Sequence, residues 1–168
     1  RDEAEARALL DGVADAALTH NRPIVRRCDD SVLRTFDNKP FMIRRSRGYV
    51  PDPLLLNAPG EPILACGADE KNTFCIVRSH EAFCSQHIGD LSEPAAFTCY
   101  RQSIDDLSVL LQTRPVCVAH DLHPGYHCTR HAKTIRDVVH EPVQHHHAHI
   151  VSCMAEHGIE GLVIGLSF

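Results

Sequence analysis

Gln144 to His157 reads Q-H-H-H-A-H-I-V-S-C-M-A-E-H, and four of its first six residues are histidines. Ile150, Val151, Cys153, Met154 and Ala155 follow, which is helical material with an apolar side. A helix beginning near His145 sets His145 and His149 one turn apart, with Cβ atoms about 5–6 Å from each other on one face. That is the spacing at which two imidazoles hold one metal ion, as in the helical H-E-x-x-H motif. His146 and His149, at i and i+3, form a second pair. His149 belongs to both and is the strongest ligand candidate.

The same stretch limits the chemistry. A metalloprotease places a Glu general base beside the first histidine, and here His146 holds that position. Two histidines do not complete a zinc site, which takes three protein ligands plus water or four ligands. A further ligand must come from elsewhere in the fold or from beyond the chain. The plain alternative is a solvated helix start with no ligand. A tag remnant is excluded, because the run is internal.

The 168 residues suffice for one domain with an ample core. Hydrophobic content of 43% with 23% charged residues is ordinary for a water-soluble protein. A formal net charge of −5 argues against a nucleic-acid partner. No apolar run approaches the roughly 18 residues of a membrane span, and no signal peptide is evident. The eight cysteines are scattered through strand-like and helix-like runs with no C-x-x-C pair. They read as reduced, buried thiols of a cytoplasmic protein. The chain opens on Arg1 and closes on the apolar run L-V-I-G-L-S-F. A buried strand rarely stops at a free carboxylate, so the expectation is a fragment cut at both ends.

From the start, Asp2 to Leu18 reads as a helix with acidic residues at its N-terminus, and Gly12 weakens its middle. Ile24-Val25, Ser31 to Phe36 and Phe41 to Ile43 read as short strands, the last two forming a hairpin around Asp37-Asn38-Lys39-Pro40. Arg44, Arg45 and Arg47 make a basic, glycine-containing loop. It is either a phosphate-binding loop with guanidinium forks or a solvated charge run. Pro51, Pro53, Pro59, Gly60 and Pro62 mark residues 52–62 as a linker between two domains. Beyond it, Ile63 to Cys66, Thr73 to Arg78 and Ala82 to Cys84 read as strands, with the polar turn Gly67 to Asn72 between the first two. Within that turn Lys71 is suited to meet a phosphate as a point charge, or is a solvated turn lysine.

Pro94 to Gln112 is predicted helical, with Phe97, Tyr100, Ile104, Leu107 and Leu111 as one core stripe. Val116 to Ala119 is a buried strand. His120 to His127 follows at its C-terminal end, where α/β proteins place ligand sites. A helix over Thr129 to Val139, a short strand at Val143-Gln144, the histidine helix ended by Gly158, and a strand over Leu162 to Phe168 complete an α/β arrangement.

R-R-S-R-G-Y-V-P, K-N-T-F-C, S-Q-H-I-G-D-L, A-H-D-L-H-P-G-Y and Q-H-H-H-A-H occur here in that order. Each motif is weak alone, but the ordered set resembles the HypF family of carbamoyltransferases, which mature nickel–iron hydrogenases. The resemblance implies that residues 1–51 are the C-terminal part of a YrdC-like α/β domain. It implies that residues 63–168 are the N-terminal part of a TsaD-like domain with the actin-like fold of the sugar-kinase superfamily.

The implied activity uses carbamoyl phosphate and ATP to make carbamoyl-adenylate, then transfers the carbamoyl group to the C-terminal cysteine of HypE, where it becomes a cyanide ligand. By the same resemblance His145 and His149 bind a divalent metal, zinc or iron. Gly67, Lys71, Asn72 and Thr73 belong to a first phosphate loop, and Ser31 and Arg47 lie near the adenylate. A further Asp ligand and a second phosphate loop would follow Phe168. Two other classes compete: a non-catalytic, histidine-rich metal-binding module, and a TsaD-like tRNA threonylcarbamoyl transferase. The last predicts no YrdC-like segment, so Arg44 to Tyr49 argue against it.

Overall fold

A computed structural model describes residues 3–167; Arg1, Asp2 and Phe168 lie outside the described residues. The elements are α1 (Glu3–Leu10), β1 (Val32–Phe36), β2 (Lys39–Arg44), β3 (Leu54–Ala65), β4 (Cys75–Cys84), α2 (Pro94–Leu111), β5 (Cys117–Asp121), α3 (His127–Ala132), β6 (Val139–Val143) and α4 (His145–His157). The fold is mixed α/β with two separate sheets. β1 and β2 form an antiparallel pair, and the larger sheet has the order β4-β3-β5-β6. In it β3, β5 and β6 run parallel, while β4 is antiparallel to β3.

The core belongs to the larger sheet. α2 opens on Pro94 at its first turn, where a missing N–H costs nothing. The predicted stripe is the face it buries: Tyr100, Ile104, Leu107 and Leu111 are buried, and Phe97 packs against them. Tyr100 meets Phe74 edge-on with ring centroids 5.8 Å apart, and its hydroxyl donates to the Cys66 carbonyl at 3.2 Å. That bond keeps a buried phenol paired. The hairpin expected over residues 31–43 also forms. Asp37 and Asn38, at φ 50° and 57°, supply the left-handed turn that a two-residue loop requires.

Several expectations are corrected. The first helix ends at Leu10 rather than Leu18, and Gly12 just beyond adopts φ 72°. Ile24 and Val25 are exposed and lie in no strand. Most of the segment read as a linker is strand, because β3 starts at Leu54. Its prolines are tolerated because Pro59 and Pro62 fall in the two register shifts against β4, and β5 reaches only Ile63–Ala65. α3 stops at Ala132, well short of Val139, which instead opens β6. Among the described residues the segment from Leu162 to Ser167 is not a strand and joins neither sheet, and Leu162 and Ile164 are fully exposed; Phe168, the end of the expected strand, lies outside the described residues.

The strands expected at residues 73–78 and 82–84 join into β4, which folds back on itself near Ser79 (φ 54°). Phe74 and Ser85 would stand more than about 30 Å apart along a straight strand. Instead the Ser85 N–H donates to the Phe74 carbonyl at 2.8 Å, and the Phe74 N–H donates to the Ser85 hydroxyl at 3.0 Å.

Candidate metal and nucleotide site

α4 starts at His145, with Gln144 as its N-cap: the Gln144 Oε1 accepts from the His147 N–H at 2.8 Å. Gly158 closes the helix at φ 60°. The helix therefore occupies the register that its sequence demands, and His145 and His149 share one face. Their Nε2 atoms are 3.1 Å apart. His146 turns elsewhere, its Nδ1 contacting the Gln144 amide at 2.9 Å, so the i, i+3 pair is not formed.

Asp121, at the end of β5, fixes the first of these rings. Its Oδ2 lies 2.7 Å from His145 Nδ1, and the carboxylate is buried while the imidazole is about one-third exposed. A carboxylate only accepts, so His145 carries its proton on Nδ1 and presents the Nε2 lone pair. This is the carboxylate–histidine arrangement that orients metal-ligating rings. Two nitrogens held about 2.0–2.1 Å from one tetrahedral zinc ion lie about 3.3 Å from each other. The observed pair fits such an ion with a small adjustment. Among the described residues no group of three or more His, Cys, Asp or Glu is placed to complete the shell.

The turn at residues 67–73 is built by Gly67 and Asn72. Gly67 sits at φ 71°, and a Cβ there would lie 2.2 Å from the Thr73 carbonyl oxygen. Only glycine lets the loop close on itself this tightly. Asn72 is buried, and its Nδ2 donates inward to the carbonyls of Cys66 at 3.1 Å and Ala68 at 2.5 Å. It braces the loop from within, so its amide donors do not face a ligand. Lys71 and Thr73 are exposed on the outer side.

Asp69, in the same loop, reaches the first residues of α3. Its Oδ2 accepts from the His127 N–H at 2.7 Å and contacts His127 Nδ1 at 2.8 Å, while its Oδ1 accepts from the Cys128 N–H at 3.0 Å. Burial alone would raise the Asp69 pKa, but the hydrogen bonds from Cys128 and His127 outweigh it and hold the carboxyl below its ordinary value. Thr129 of α3 then donates its hydroxyl to the Asp121 carbonyl at 3.1 Å. An unbroken polar chain thus runs from the 67–73 loop through Asp69, α3 and Asp121 to His145 and His149. Burial pushes the neighbouring Cys66 thiol up to about 11 and the Cys128 thiol higher still, so neither acts as a nucleophile near neutrality.

Ser31 and Arg47 come together in a separate cluster. The Ser31 hydroxyl donates to the Arg47 carbonyl at 2.9 Å and accepts from the Ser46 N–H at 2.8 Å. The Arg47 guanidinium is exposed, donating to the Cys28 carbonyl at 3.3 Å and lying 3.5 Å from Asp30 Oδ1.

The family described as "HypF Kae1-like domain" matches residues 58–156. This chain belongs to the HypF family. It is 46% identical to carbamoyltransferase HypF2 of Cupriavidus necator over 97% of this chain and 21% of that protein. It is 43% identical to carbamoyltransferase HypF of Rhizobium leguminosarum bv. viciae over 99% of this chain and 22% of that protein. A crystal structure of full-length HypF in its phosphate- and nucleotide-bound form superposes with a TM-score of 0.88 at 46% identity, covering 99% of this chain and 26% of that one. T. kodakarensis HypF superposes with a TM-score of 0.83 at 38% identity, over 94% of this chain and 21% of that one.

The chain therefore spans about a fifth of the length of the curated HypF relatives it matches. Asp69 and Asp121 were not singled out by sequence reasoning. The signal for Asp121 lay in its place at the C-terminal end of a buried parallel strand. Asp69 carried no local signal, since its partners are 58 and 59 residues away. No helix among the described residues is long and apolar enough to cross a membrane.

Proposed function

We propose that this chain is part of a cytoplasmic carbamoyltransferase that uses carbamoyl phosphate and ATP to form carbamoyl-adenylate and passes the carbamoyl group to the C-terminal cysteine of HypE. On this reading residues up to about 51 end a YrdC-like domain, and those beyond begin a TsaD-like, actin-like domain. His145 and His149 hold a divalent metal, zinc or iron, with Asp121 fixing the His145 ring. Such an ion supplies Lewis-acid stabilisation of oxygens on the carbamoyl or phosphate group. The backbone of Gly67 to Thr73 and the Lys71 ammonium face nucleotide phosphates, and Asn72 shapes that loop rather than binding through its side chain. Ser31 and Arg47 lie toward the adenylate.

The observation that carries this reading is the 3.1 Å approach of two imidazole Nε2 atoms on a helix whose first histidine is oriented by a buried carboxylate. It favours a metal-assisted enzyme over a solvated histidine run, because solvated side chains need no such support. The test uses the whole protein incubated with ATP, carbamoyl phosphate and HypE, with HypE weighed by mass spectrometry and bound metal measured in parallel. His149→Ala is expected to abolish both metal retention and carbamoylation of HypE. Asp121→Asn is expected to weaken metal affinity about 10–100-fold. Undiminished metal stoichiometry in His149→Ala would overturn the assignment.

A further inference from the structure

The fold-back of β4 places two cysteines face to face. A backbone bond from the Ser85 N–H to the Phe74 carbonyl closes the two arms across the turn at Ser79, which brings Cys75 and Cys84, one residue further in on each arm, alongside each other. Residues opposite each other on antiparallel arms have Cα atoms about 4.5–5.5 Å apart. That lies within the range of about 4.4–6.8 Å that a disulfide accepts. The two thiols are close enough to perturb each other's ionisation. Both are half-buried and free, so a small oxidant reaches them. Arg45 stands beside both sulfurs, and its Nη1 is buried with no hydrogen-bond partner among the described residues.

We propose that Cys75 and Cys84 are a redox-active dithiol that closes to a disulfide when a hydroperoxide reaches it. The Cys84 thiol is lowered to about 7 by its contact with Cys75, with Arg45 adding to the effect and burial opposing it. The same contact, with burial, raises Cys75. Cys84 is then the attacking sulfur and Cys75 the resolving one. The Cys84 thiolate attacks one peroxide oxygen, the O–O bond breaks, and the departing hydroxide takes a proton to leave as water. The Cys75 sulfur then attacks the Cys84 sulfenic acid, the S–O bond breaks, and the second hydroxide leaves with the Cys75 proton. Two thiols are oxidised by two electrons, and the peroxide is reduced to two waters.

The linkage ties the two arms of β4 at the end that continues into the 67–73 loop. It is a modification site separate from the histidine pair, and it does not depend on the function proposed above. The test treats the purified protein with hydrogen peroxide, blocks the remaining thiols and digests with trypsin. The expected product joins peptide Asn72–Arg78 to Ser79–Arg101 with the loss of two hydrogen atoms, and fragmentation places the bond on Cys84 rather than Cys99. Cys99→Ser is expected to leave it intact, and Cys84→Ser to remove it. Before oxidation, Cys84 is expected to alkylate at neutral pH at least about tenfold faster than Cys66. Absence of the linked peptides, or their persistence in Cys84→Ser, would overturn the proposal.

Discussion

Residues 64–132 and the segments on either side of them are held by different forces. Every buried apolar side chain among the described residues lies between Leu64 and Ala132. α1 and α4 contain no fully buried residue; β6 joins the centre through its ladder with β5, Ile135 and Val138 pack against the core, and polar side-chain contacts add to these attachments. Arg26 pairs with Asp106 at 2.8 Å and Gln86 donates to the Arg27 carbonyl, while Asn57 donates to Glu160 at 3.1 Å from one flank to the other. Exposed contacts of this kind contribute about 0–1 kcal/mol each. Yet the flanks carry Ser31, Arg47, His145 and His149. The centre supplies rigidity together with the 67–73 loop and Asp121, and the flanks add residues that lie outside that packed core.

The comparison breaks most visibly at Tyr100. Tyr100→Ala removes a fully buried ring and should cost about 3–5 kcal/mol, a large share of a typical domain's stability. Leu162→Ala, at a fully exposed position, should stay within about 0.5 kcal/mol. Urea denaturation followed by circular dichroism measures both, and similar costs would erase the distinction. Gly67→Ala comes next, at about 1–3 kcal/mol for strain alone, because φ 71° and the Thr73 carbonyl both oppose a Cβ. Hydrogen exchange should show the damage centred on residues 67–73, including the Asn72 N–H that donates to the Gly89 carbonyl at 2.8 Å. Protection left unchanged in that loop would count against the tight closure.

The smallest effect sharpens the boundary itself. Asp69 has a lowered pKa in the fold, so its contribution is present above the unfolded value of about 3.9 and is lost as pH falls through the lower folded value. Asp69→Asn should therefore melt below the native protein at pH 7, and the gap should narrow below about pH 4. A gap that stays constant with pH would mean that the charge on Asp69 does not hold α3.

The elements legible in the sequence are those whose determinants are local. The α2 stripe, the Asp37-Asn38 turn and the Gln144 and Gly158 ends of α4 are each specified within a few residues. The histidine pair was legible for the same reason. The misread elements depended on distant partners. Leu162 to Ser167 has the composition of a strand but joins neither sheet among the described residues. Residues 54–62 have the composition of a linker but find β4 alongside. Asp121 and His145 are 24 residues apart, and their 2.7 Å contact exists only because β5, β6 and α4 fold together. The Cys75–Cys84 pairing was hidden in the same way, by the fold-back at Ser79.

On the proposed reading, the polar chain from Asp69 through α3 and Asp121 to His145 would link the two halves of the site thermodynamically. An ion on the histidines that restrained Asp121 would restrain α3, and through α3 the 67–73 loop. A group bound at the loop would restrain the histidines by the same route in reverse. Coupling of this kind is reciprocal: whatever factor the ion adds to affinity at the loop, an occupied loop adds to affinity for the ion.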